Sequence, residues 1–64
     1  SAIDSLTKAV RFRPEDVELR LYRAQALFAA NRKPEARREY EHVLAMDPRN
    51  RDARKGLDIL QQYE

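Results

Sequence analysis

Pro14 and Pro48 stand 34 residues apart, and sliding the sequence against itself by that interval aligns far more than the prolines. Ala2 falls on Ala36, Leu6 on Tyr40, Ala9 on Val43 and Val10 on Leu44. Phe12 falls on Met46, Asp16 on Asn50, Glu18 on Asp52 and Arg20 on Arg54, after which the match fades. Apolar meets apolar, small meets small, and one helix-capping residue meets another. A chain with such a period is built from a supersecondary unit that cannot bury its apolar face alone, so that stacked units share one core.

The prolines divide the chain into helices. Ala2, Leu6, Ala9 and Val10 lie at i, i+4, i+7 and i+8, the stripe of an amphipathic helix over Ala2 to Phe12. It ends before Pro14, because a residue preceding proline is biased away from helical dihedrals. Asp16 is the expected N-cap of a second helix reaching about Ala30, with Leu19, Tyr22, Ala26 and Ala30 on one side. Asn31 can take the left-handed conformation that ends helices. Pro34 fits the first turn of a third helix, Glu35 suits its positive end, and Ala36, Tyr40, Val43 and Leu44 form its stripe. Pro48 stops it, and Asn50 caps a fourth helix from Arg51 to about Tyr63. The fold class is therefore all-α, with four antiparallel helices.

Composition narrows what such a bundle can do. The chain has no cysteine and one histidine, His42, which excludes disulfides and leaves no basis for a zinc site or any other cofactor. His42 has no serine or cysteine near it to activate, Glu39 and Glu41 point to different sides of a helix, and a lone Gly56 cannot make a phosphate-cradling loop. No enzyme is expected. No apolar run approaches the roughly 20 residues of a membrane span, and no leader is visible at Ser1; the compartment stays open, with the cytoplasm slightly favoured. Thirteen Lys and Arg face eleven Asp and Glu. Arg37 and Arg38 share a helix with Glu35, Glu39 and Glu41 within i+4 reach, the pattern of a solvated face. The densest cluster, Arg49, Arg51, Arg54 and Lys55, is relieved by Asp52 and Asp58 and makes no one-signed stripe, so nucleic acid is not an expected partner.

Ala36, Tyr40, Val43 and Pro48, followed by Arg49-Asn50, stand at the spacing of small, aromatic, small and proline that marks the tetratricopeptide repeat, and the chain resembles that family over its whole length. Ala2, Leu6, Ala9 and Pro14 take the same places in a preceding partial unit, and Ala24 stands where two helices of a hairpin cross closely. The resemblance implies a helix-turn-helix solenoid fragment. Residues 1–13 are the second helix of a partial repeat, 17–50 one complete repeat, and 51–63 a C-terminal capping helix. Four positions depart from the pattern: Arg20 where a Trp or other large residue is usual, Arg23 for Leu, Leu27 for Tyr and Asn31 for Gly. Asp58 occupies the close-crossing place filled by Ala24, and a charge buried there unpaired is costly. With Arg51, Asp52, Arg54, Lys55, Gln61 and Gln62 it gives the last helix a polar outer face, so the array is expected to end here.

The resemblance implies a protein-binding scaffold whose concave face holds a peptide or helix of a partner protein. The groove residues would be Glu18, Leu21, Gln25, Phe28 and Ala29 from the full unit, with Asp52, Lys55, Ile59 and Gln62 from the last helix. Glu18, Leu21, Gln25 and Phe28 share one helical face, and Leu21 and Phe28 would be the exposed apolar pair. The family's carboxylate clamp for acidic tails is not expected, since Leu21 and Gln25 stand where its cations would be. The alternative is self-association: Ile3, Leu6 and Val10 on the unpaired first helix form an apolar strip that a homodimer would cover.

Overall fold

A computed structural model describes residues 1–63. They form four helices, α1 (Ala2–Phe12), α2 (Val17–Ala29), α3 (Lys33–Met46) and α4 (Arg51–Gln61), and no strand occurs among them. Local chemistry sets the ends. The side chains of Ser1, Asp16 and Asn50 accept from the backbone N–H of Asp4, Leu19 and Ala53 at 3.4, 3.1 and 2.9 Å, so three of the four helices start on a capped orphan donor. The fourth, α3, has no side-chain cap and relies on Pro34 in its first turn. Asn31 has φ 63°, and Arg32 N–H reaches back to the Leu27 carbonyl at 2.9 Å, the left-handed reversal that closes α2.

Short loops make consecutive helices antiparallel neighbours. α1 packs on α2, α2 on α3 and α3 on α4, while α2 also touches α4. The core is Leu21, Ala24 and Leu27 of α2, Ala36, Tyr40 and Val43 of α3, and Ala53, Leu57 and Leu60 of α4, with Ile3, Val17, Phe28 and Leu44 packed against it.

This core corrects the expected rotation of α2. The helix buries Leu21, Ala24 and Leu27, not the face of Leu19, Tyr22, Ala26 and Ala30. Leu19 and Ala26 are half-buried, Ala30 is exposed, and Tyr22 is 53% exposed. The α4 residues Arg51, Asp52, Arg54, Lys55 and Asp58 are all exposed, while Leu57 and Leu60 turn inward. No helix among the described residues is long and apolar enough to cross a membrane.

α4 comes close to the α3 side chain Tyr40 at Gly56. A Cβ on Gly56 would lie within 3.0 Å of three ring carbons of the buried Tyr40. Gly56→Ala gains up to about 1 kcal/mol of helix propensity but overpacks the crossing at a cost of about 1–3 kcal/mol. We expect a lower melting temperature, by roughly 4–8 °C per kcal/mol of net loss. In a Tyr40→Leu background the same change should be neutral or stabilising.

Candidate functional site

Because α2 touches α4 across the edge of α3, the two helices leave a groove between them. It encloses about 190 Å³ and is lined by Gln25, Phe28 and Ala29 of α2, Tyr40 of α3, and Gly56 and Ile59 of α4. Residues at i, i+3 and i+4 on α2, and i and i+3 on α4, face each other across it. Gly56 is what lets the Tyr40 ring come this close to α4.

Phe28 is half-buried, and its ring meets Tyr63 edge-on, with centroids 6.4 Å apart at 72°. Lys33 Nζ stands 4.4 Å from the Tyr63 ring centroid, a cation–aromatic contact, and of these three residues only Phe28 lines the groove. Burial, and secondarily the negative charge of Asp52, push the Tyr40 phenol above its ordinary value of 10.0. A raised folded-state value means that stability is complete below the unfolded pKa and falls as pH rises through the folded one. Denaturant midpoints should therefore drop on the alkaline side of pH 10, and Tyr40→Phe should flatten that drop.

Of the residues expected in the groove, Gln25, Phe28, Ala29 and Ile59 line this one hollow. Glu18 and Lys55 are exposed and do not line it. Leu21 is a correction: at 7% exposure it belongs to the core, because the rotation of α2 turns it inward, and it offers no surface to a ligand. The residues not anticipated are Tyr40 and Gly56. The signal available for Gly56 was a lone glycine inside a helix pattern, which marks a close approach. On α1, Val10 is buried, Ile3 packs against the core and Leu6 is half-buried, so α2 covers much of the strip expected to be open. The large apolar side chain left in solvent on this helix is Phe12, 88% exposed.

A second correction concerns Glu39. It is not on a solvated face but 6% exposed, gripped by two arginines of α2. Arg20 Nη1 donates to Glu39 Oε1 at 2.9 Å and Arg23 Nη1 to Oε2 at 2.6 Å. Arg20 Nε donates to the Pro14 carbonyl at 2.7 Å, and Arg23 Nε to Thr7 Oγ1 at 3.0 Å, which ties the triad to the α1–α2 loop and to α1. Glu39 thus answers two of the four departures from the repeat pattern: the arginines that replace large apolar residues bring their counter-charge with them.

Comparison with curated proteins and with solved structures returned no match. A family model described as tetratricopeptide repeat matches residues 1–57, nearly the whole chain, in agreement with the four-helix architecture. The chain belongs to the tetratricopeptide repeat family, whose members are generally protein–protein interaction modules.

Proposed function

We propose that the groove between α2 and α4 holds one apolar anchor side chain from a peptide or helix of a partner protein. The observation that carries this reading is the open hollow itself, walled by Phe28, Ala29, Tyr40 and Ile59. Its volume of about 190 Å³ lies below the roughly 300–1,000 Å³ of small-molecule sites. It suits a single buried side chain with the rest of the peptide lying across the rim. Such anchors dominate binding energy when water is excluded around them. Gln25 at the edge can bond a peptide main-chain group.

The test is selection of a displayed random peptide library against the wild-type chain. Enriched peptides should share a large apolar residue and should lose about tenfold or more in affinity for Ala29→Arg and Ile59→Glu. Ala29 is exposed, so its arginine variant fills the hollow without disturbing the core; circular dichroism checks this. Peptides that bind both variants as well as wild type would remove the groove as the site. A mass that rises with concentration, and falls on Leu6→Glu, would favour self-association through α1 instead.

A further inference from the structure

A second cavity, of about 290 Å³, lies between α2 and α3 and shares no residue with the peptide groove. It is lined by Arg20, Arg23, Glu35, Arg38, Glu39 and His42, and so includes all three members of the ion triad. The triad carries a charge in excess, since two guanidiniums share one carboxylate whose oxygens are both taken. Each guanidinium spends its Nε on a neutral oxygen and keeps its Nη2 without a hydrogen bond among the described residues. The two side chains are only 15% and 20% exposed. Positive charge so withdrawn from water is costly unless an anion meets it. The same cavity is lined by Arg38, which has no ion pair among the described residues. Glu35, the other acid of the cavity, is committed to Arg32 through two bonds of 2.9 and 2.8 Å.

We propose that this cavity binds a doubly charged phosphate group, held by Arg20, Arg23 and Arg38, with His42 as a further donor. One positive charge left over from the triad and one from Arg38 match a dianion better than a single carboxylate. Guanidinium forks are the side chains best shaped for tetrahedral oxyanions. The volume takes such a group together with several waters, each needing about 30 Å³. The protein thereby carries two sites of different chemistry, an apolar socket between α2 and α4 and an anion site between α2 and α3.

The experiment is a titration of the whole chain with phenyl phosphate at about pH 8, where a phosphate ester is doubly charged. The arginine Nε–H signals are followed by NMR, against sodium chloride at matched ionic strength. Saturable shifts of Arg20, Arg23 and Arg38 are expected. Arg38→Ala should weaken binding about tenfold and Arg38→Glu abolish it, while Arg54→Ala leaves it unchanged. Arg38 is exposed, so both variants should keep the wild-type helical spectrum. Acetate should not compete. Shifts reproduced by chloride, wild-type affinity in Arg38→Glu, or equal binding of acetate would each overturn the proposal. A phosphoserine peptide that binds more tightly than phenyl phosphate assigns the group to a phosphorylated protein. Equal affinity assigns it to a free phosphate ester, and either result upholds the site.

Discussion

Glu39→Gln should cost about 3–5 kcal/mol, the usual loss when one partner of a buried ion pair is removed and the other stays charged. Glu39 answers two guanidiniums at 2.9 and 2.6 Å, and its amide replacement accepts from only one of them while turning an NH2 donor toward the other. A chain of 64 residues has a total stability of only roughly 3–10 kcal/mol. The variant should therefore sit close to its unfolding midpoint in the absence of denaturant. Urea unfolding followed by circular dichroism would show a midpoint shifted far down with an unchanged slope. The companion variant separates a need for charge from a need for balance. Replacing the whole triad at once, Arg20→Met, Arg23→Leu and Glu39→Leu, removes the desolvation cost together with the attraction, and should restore stability to near the wild-type level or above it. It also returns positions 20 and 23 to the apolar character usual in the repeat. A midpoint for Glu39→Gln within experimental error of wild type would show that the triad is a surface pairing of little weight.

The second large effect is Leu27→Ala, expected to cost about 2–5 kcal/mol. Leu27 is completely buried and is one of the two largest side chains with no exposure at all. It shares the core with Ala24 and the α3 residues Ala36, Tyr40 and Val43, where the bundle has little freedom to collapse around a cavity. Tyr22→Ala is the control. With half its surface in water, Tyr22 should lose less than about 0.5 kcal/mol on truncation. The pair tests the rotation of α2 directly, because the alternative face would bury Tyr22 and reverse the order of the two losses. Thermal melts of the two variants side by side decide it.

Helix number, helix ends and the period were legible in the sequence for a local reason. A cap is a bond between a side chain and an N–H three residues away, as at Asp16 with Leu19 and Asn50 with Ala53, and a proline acts on its own turn. The rotation of α2 was not legible, because the helix carries two apolar stripes. Leu19, Tyr22 and Ala26 form one, Leu21, Ala24 and Leu27 the other, and periodicity alone ranks them nearly equal. α3 chooses between them by offering its own small and aromatic residues to the second. Groove membership followed from that choice: Phe28 and Gln25 stay available while Leu21 goes inward.

Charges behaved the same way. Within its own helix Glu39 has arginines nearby in sequence, which reads as a solvated surface, yet its partners are Arg20 and Arg23, 19 and 16 residues away. The choice depends on which carboxylate ends up dry, and burial is a property of the packed bundle. Gly56 is similar: in sequence it is one helix-weakening residue, and only the approach of Tyr40 gives it a task. By itself the sequence determined four helices repeating at an interval of 34, bounded by caps and prolines, because those signals act over three or four residues. The tertiary structure alone decided which face of α2 is buried, which acid answers the two arginines and where a groove opens. Those outcomes depend on surfaces that come into contact only when distant segments pack.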